Sequence, residues 1–310
     1  MAGAFIIGTS ESDTITGTDN NDVIIGLEGD DSLLGLRGND QLVGDEGKDT
    51  LKGAGGDDNL NGRVGNDSLD GGSGTDTIAG EAGNDVIDGG AGSDLINGGA
   101  GRDIIDGSSG RDTINGSVGN DVIDGGTEND SITGDAGNDS IIGGDGNDVI
   151  DGGTENDSIT GGNGGDVITG DAGNDSIDGG TGNDRIDGGD GSDILIGNVG
   201  RDTFTGGAGS DTFIFSPTGE LTSGFNDVIT DFNASQEVID VSAFDYINPL
   251  PIGDYSSWAF AMSSLGAFFQ AGSDVFIKGN PAIGFGDDTN SQIVLKNVNI
   301  SELGAANFIF

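Results

Sequence analysis

The chain has 310 residues, 55 acidic against 10 basic side chains, a formal charge of −45, 64 glycines, and neither cysteine nor histidine. An anionic excess of this size repels nucleic acid and anionic membrane surfaces. Without Cys or His there are no disulfides, thiolate metal sites, HExxH zinc centres, Ser-His-Asp triads or cysteine nucleophiles.

The first residues, Met1-Ala2-Gly3-Ala4-Phe5-Ile6-Ile7, lack a basic n-region, and their apolar run is too short for a signal peptide. No stretch reaches the roughly 20 apolar residues of a membrane span. Residues 1–7 are expected to form an N-terminal cap strand, because Phe5-Ile6-Ile7 falls in phase with the repeats of residues 8–215 and Ala4 stands where an Asp recurs.

Residues 8–215 carry a strict nine-residue period. It starts at Asp13 and Asp22 and runs through Asp31, Asp40, Asp49, Asp58, Asp67, Asp76, Asp85, Asp94, Asp103, Asp112 and Asp121. It continues through Asp130, Asp139, Asp148, Asp157, Asp166, Asp175, Asp184, Asp193, Asp202 and Asp211 without an insertion. Two residues after every Asp stands a large apolar side chain, from Ile15 to Phe213, and four residues after stands Gly, until Phe215. A disordered low-complexity tail would not need an apolar residue at one phase throughout.

Each unit is expected to be a six-residue loop and a three-residue strand with only its middle residue turned inward, since side chains alternate at period two. Two units close one turn of a flattened coil. Stacked turns make two parallel sheets around a thin Ile/Leu core. Gly permits positive φ, so a loop can turn sharply and aim carbonyl oxygens at one point. Carboxylates and carbonyls together form a hard oxygen site suited to Ca²⁺.

The unit G-G-x-G-x-D-x-U-x, complete in Gly143-Gly144-Asp145-Gly146-Asn147-Asp148-Val149-Ile150-Asp151, resembles the RTX (repeats-in-toxin) calcium-binding nonapeptide. The resemblance implies an all-β fold, a right-handed parallel β-roll with two nonapeptides per turn and a C-terminal β-rich cap. It also implies ions held between loops eighteen residues apart, by the motif Asp side chains from Asp31 to Asp211 and by loop carbonyls. Carried over by motif position, the loop glycines are Gly65, Gly74, Gly83, Gly92, Gly101, Gly110, Gly119, Gly137, Gly146, Gly173, Gly182 and Gly191. Up to about 20 Ca²⁺ ions would nearly cancel the charge of −45. The metal-free chain is expected to be largely disordered and to fold on calcium.

Departures from the motif are local. Glu11 and Asn20 replace Gly in the opening units, where weaker sites are expected. Glu128 and Glu155 do the same in two copies of Gly-Gly-Thr-Glu-Asn-Asp-Ser-Ile-Thr, three units apart and so on opposite edges. Asp70, Asp88, Asp106 and Asp124 are expected to stack on one outer sheet face as a solvated acidic column.

Residues 216–310 lose Gly and Asp and gain aromatics. Asp211 to Phe215, Asn226 to Asn233 and Glu237 to Phe244 resemble the post-repeat segment of serralysin-type secreted proteases, where it extends and caps the roll. Phe225, Phe232, Phe244, Trp258, Phe260, Phe268, Phe269 and Phe276 are candidates for a hydrophobic core, and Ser256–Gln270 for a helix. Gln292 to Phe310 resembles the uncleaved C-terminal signal of type I secretion substrates, and it also suits a last β-strand.

The expectation is a secreted, extracellular calcium-binding protein without catalysis, structural in role at a surface or in a matrix. Its partners would be calcium ions and the type I secretion machinery, with no nucleic acid and no transmembrane segment. Two alternatives stay open: an adhesin that binds a cell-surface or matrix glycan, and a small hydrolase or toxin-like protein with a site in 216–310.

Overall fold

The computed structural model describes residues 3–215, 226–240, 268–278 and 292–309. The chain forms two compact units, Met1–Ile159 and Thr160–Phe310.

In the first unit the strands alternate between two parallel sheets. One holds Phe5–Ile7, Val23–Glu28, Gln41–Glu46, Asn59–Val64, Thr77–Ala82, Leu95–Ala100, Thr113–Val118, Ser131–Ala136 and Val149–Thr154. The other holds Thr14–Thr16, Ser32–Arg37, Thr50–Gly55, Ser68–Ser73, Val86–Ala91, Ile104–Asp106, Val122–Thr127 and Ser140–Asp145. Each strand pairs with the one two places on, residue i against residue i+18, as in Ile6↔Ile24 and Leu33↔Leu51. This is the parallel β-roll the period predicts, two nonapeptides to the turn. The periodic Ile and Leu side chains from Ile24 to Ile159 are each at most 1% exposed. At about 1.5–3 kcal/mol per buried side chain, this column is the apolar stabilisation of the unit.

The strands are longer than expected. Most run six residues, and each turns two positions inward, such as Leu33 and Gly35 in Ser32–Arg37. The three-residue strand is therefore corrected: the Gly-Gly step after the apolar residue also stays in register with its neighbours, as Gly90↔Gly72 shows. Sequence propensity undervalues this half because Gly has no side chain to favour a strand.

On the outer face, Asp70, Asp88, Asp106 and Asp124 do form one column in register, continued by Ile142. Lys52 heads the column and pairs with Asp70.

In the second unit, Val167–Ala172, Arg185–Gly191, Thr203–Gly209, Asn226–Ile229 and Gln292–Leu295 pair in parallel. The antiparallel strands Asp274–Lys278 and Phe268–Ala271 then finish that sheet. The facing sheet runs Ser176–Gly182, Ile194–Ile196, Thr212–Ile214, Val238–Asp240 and Phe308–Ile309. Phe308–Ile309 is thus the last strand of that sheet. Phe204 and Phe213 end the aliphatic column and Phe215 takes a Gly position; the Phe204 ring centroid lies 6.0 Å from that of Phe213 and 5.8 Å from that of Phe215, and Phe232 sits 6.1 Å from Phe213. Of the helix expected over Ser256–Gln270, residues 256–267 lie outside the described residues. Phe268–Ala271 is a strand, paired with Asp274–Lys278 across a two-residue turn, so the expectation fails there. Phe225, Phe244, Trp258 and Phe260 lie outside the described residues.

Candidate metal centre

From Asp22 on, every unit delivers one Asp to the interior just before a strand. Asp31 to Asp211 are each at most 3% exposed. A buried carboxylate is costly unless both oxygens are satisfied. One of them is: its Oδ1 accepts from the backbone N–H of the Asp eighteen residues earlier. In the first unit this bond runs from Asp13 to Asp31 (2.7 Å), from Asp67 to Asp85 (2.7 Å) and from Asp103 to Asp121 (2.8 Å). In the second it runs from Asp166 to Asp184 (2.9 Å) and from Asp193 to Asp211 (3.0 Å).

The other oxygen has no donor. Oδ2 is buried and accepts no hydrogen bond in Asp31, Asp40, Asp49, Asp58, Asp67, Asp76, Asp85, Asp94, Asp103, Asp112, Asp121, Asp130 and Asp139, nor in Asp184, Asp193, Asp202 and Asp211. It faces the first glycine of its own motif. A Cβ at Gly80 would lie 2.4 Å from Asp85 Oδ2 and 2.5 Å from the carbonyl oxygen of Gly98, one turn on. At Gly44 the same distances are 2.2 Å to Asp49 Oδ2 and 2.9 Å to the Gly62 oxygen. Glycine is required here because two oxygens occupy the place of a side chain.

The loop glycines assigned by motif position form two further columns, each of residues eighteen apart. Gly74, Gly83, Gly92, Gly101, Gly110, Gly119, Gly137, Gly146 and Gly182 have φ between +133° and +159°. A Cβ at Gly83 would come within 1.3 Å of the Gly65 carbonyl oxygen, and one at Gly191 within 1.4 Å of that of Gly173. Each carbonyl therefore points at the next glycine of its column. Some of these glycines also lie against their own Asp: a Cβ at Gly65 would be 2.8 Å from Asp67 Oδ1 and one at Gly119 2.9 Å from Asp121 Oδ1.

A further ladder escaped the sequence reading. The residue before the motif Asp offers a side-chain oxygen to the backbone N–H eighteen residues later: Asn66 to Asn84 (2.9 Å), Asn84 to Arg102 (2.7 Å) and Asn120 to Asn138 (3.0 Å). Its direction is opposite to that of the Asp ladder. The signal was present, since Asn, Asp or Ser recurs at that position.

Burial, offset by a backbone N–H and reinforced by neighbouring carboxylates, raises these acids. It pushes Asp49, Asp58, Asp85 and Asp94 up to about 6, and Asp121 and Asp130 up to about 7. The donor set, carboxylate and carbonyl oxygens alone, fits a hard dication such as Ca²⁺. Among the described residues no three carboxylates gather around one point, so backbone carbonyls would have to complete each ligand set.

The opening units are closed differently. Asp13 Oδ2 accepts from Thr9 N (2.6 Å) and Thr9 Oγ1 (2.9 Å). Asp22 accepts from Thr18 N (2.5 Å), Thr18 Oγ1 (3.1 Å) and Ala4 N (2.5 Å). Burial works against the Asp22 carboxylate, yet the hydrogen bonds from Ala4 and Thr18 hold it below the usual range. Glu128 and Glu155 stay at positive φ, 75° in both against +133° to +159° for the loop glycines above at the same motif position, and both face solvent. Glu128 accepts from Gly110 N (3.0 Å) and Thr127 Oγ1 (2.9 Å), and Glu155 from Thr154 Oγ1 (2.8 Å). They follow strands of different sheets, on opposite edges.

The family described as RTX calcium-binding nonapeptide repeat (4 copies) matches residues 7–42, 34–69, 43–78, 70–105, 97–132, 124–159, 151–186, 160–195 and 187–215. Among solved structures, the AlgE6R3 subunit of the Azotobacter vinelandii mannuronan C5-epimerase is similar at 28% identity over 51% of this chain and 78% of that one, with a TM-score of 0.26. Extracellular lipase LipA from Serratia marcescens is similar at 16% identity over 77% of this chain, with a TM-score of 0.21, and the chain spans 40% of its length. No curated protein matches the chain.

Proposed function

The chain belongs to the RTX calcium-binding nonapeptide repeat family, and from that premise we propose a secreted protein that is largely disordered without calcium at neutral pH, folds on it outside the cell, and serves a structural, non-catalytic role at a surface or in a matrix. The observation that carries the reading is the row of buried Oδ2 atoms that accept no hydrogen bond. The Asp residues from Asp31 to Asp211 would hold the ions, completed by carbonyls of the stacked loop glycines.

Bound Ca²⁺ supplies a dication that neutralises the carboxylates and satisfies oxygens that no protein donor reaches. The remaining work is done by the chain. The Asp backbone N–H groups hold each carboxylate in place through Oδ1, and glycine keeps space open beside Oδ2. The Asn, Asp and Ser column fixes the loops, while Ile and Leu exclude water. Without neutralisation, a fold that packs these acids around one thin core repels itself. Folding is thereby coupled to metal uptake. A chain kept unfolded at low internal calcium suits one-step export through a type I secretion machinery, which the C-terminal resemblance suggests.

The test is a calcium titration of chelator-treated protein, monitored by circular dichroism and calorimetry. A steep disorder-to-β transition taking up on the order of 20 ions is expected. Full β signal in excess chelator at neutral pH would overturn the coupling of fold to metal.

A further inference from the structure

The family match ends at residue 215, but the carboxylate ladder of the second unit does not. The N–H of Asp202 donates to Asp227 Oδ1 at 2.9 Å. The N–H of Val228 donates to the Asp202 carbonyl at 2.8 Å, as that of Thr203 does to the Asp184 carbonyl, also at 2.8 Å. Thr203 pairs with Val228 and Phe204 with Ile229. Asp227 therefore stands where a motif Asp stands, although it comes 25 residues after Asp202 in place of 18.

Two further observations point to a ligand. Asp227 is fully buried, and its Oδ2 accepts no hydrogen bond; the same holds for Oδ2 of Asp202. Arg201 is close enough to act on the Asp227 charge, but among the described residues no ion pair joins them. Glu237, the motif-position acid before the strand Val238–Asp240, contrasts with both. Its Oε2 accepts from Asn233 N at 2.8 Å, so a protein donor closes it as Thr18 closes Asp22.

A buried carboxylate oxygen without a donor calls for either a proton or a cation. We propose that Asp227 and Asp202 are ligands of an additional calcium site beyond the nonapeptide array, built from two carboxylates and backbone carbonyls, and that the ladder ends without metal at Glu237. The proposal rests on the calcium-binding reading above. The post-repeat segment then shares in the metal dependence of the array instead of merely covering its end.

Asp227→Asn separates the two explanations, because the amide is isosteric with a neutral acid and still accepts from Asp202 N. Native mass spectrometry of the full-length protein at saturating free calcium counts the ions. D227N is expected to carry at least one ion fewer than wild type, and E237Q the same number as wild type. Equal counts in wild type and D227N overturn the site while leaving the array intact. A wild-type chain that takes up no calcium overturns both the site and the reading beneath it. Should D227N fail to fold, calcium-grown crystals of the wild type decide. An anomalous peak about 2.3–2.6 Å from an Asp227 carboxylate oxygen supports the site, and no peak there overturns it.

Discussion

The backbone N–H of Asp103 donates to Oδ1 of Asp121 at 2.8 Å, while Oδ2 of the same carboxylate is buried and accepts nothing. One atom of Asp121 thus belongs to the fold and the other to the ligand. Asp121→Asn keeps the first and removes the charge that serves the second. In saturating calcium, D121N is expected to lose about 1–3 kcal/mol of stability, the range for a lost interaction with a charged group. D121A, which also orphans the Asp103 N–H, is expected to lose more. Urea denaturation in calcium ranks the three proteins, and equal midpoints for wild type and D121N would remove the carboxylate from the ligand set.

The acids raised by burial predict an unusual pH dependence for the metal-free chain. With pKa values of about 6 at Asp49, Asp58, Asp85 and Asp94 and about 7 at Asp121 and Asp130, the folded state holds protons that an unfolded chain releases near 3.8. More protons bound in the folded state means that stability falls as pH rises. The metal-free fold is therefore favoured at the acid end and lost between about pH 4 and 7. Far-UV circular dichroism of metal-depleted protein across that window should show β signal decaying upward in pH, and a rising signal would contradict the buried-acid account.

Gly80 faces Asp85 Oδ2 and the Gly98 carbonyl. A methyl group there would sit 2.4 and 2.5 Å from two oxygens held by the sheet. Gly80→Ala is expected to cost at least about 1–3 kcal/mol through overpacking, together with weaker calcium uptake. Gly55 lies in the same kind of strand, but a Cβ there meets nothing closer than 3.5 Å, so Gly55→Ala is the neutral control. Calcium-dependent melting of the two variants gives the comparison.

Thr18 closes Asp22 with a backbone and a hydroxyl donor. Thr18→Ala removes only the hydroxyl, which should cost about 1.5–3 kcal/mol by the usual value of a hydrogen bond to a charged group. Because Asp22 is served by protein donors, the loss should be the same at moderate and at very high calcium. Amide exchange over residues 5–28 measures it, and full rescue by added calcium would show that Asp22 is a metal ligand after all.

The sequence made the interior legible because the interior is periodic. The Asp at every ninth residue and the Ile or Leu two further on give the two sheets, the eighteen-residue register and the buried column. The outer column from Asp70 to Asp124 came from the same arithmetic. What stayed hidden depended on atoms, not on spacing. That Gly80 is required by Asp85 Oδ2, and Gly83 by the Gly65 carbonyl, becomes visible only once turns are stacked. The Asn66–Asn84 bond was written in the composition of one loop position, but its direction cannot be read from a period. The roles of Thr9 and Thr18 were hidden because what marks their units in sequence is the glycine they lack, not the donor they gain. Asp227 lies off the period, so no spacing points to it.

Glu128 and Glu155 adopt the same φ of 75° on opposite edges of the roll, within identical local strings 27 residues apart. Nine residues are therefore a self-contained brick that fits either wall. Adding or removing one brick passes every later strand to the other wall, with its inward Asp, Gly and Ile unchanged in role. Only the outward residues find new neighbours, so a surface column such as Asp70, Asp88, Asp106 and Asp124 survives only changes of two bricks at a time. Such a chain can alter its length in single repeats while conserving its interior, and each odd step redraws its exterior.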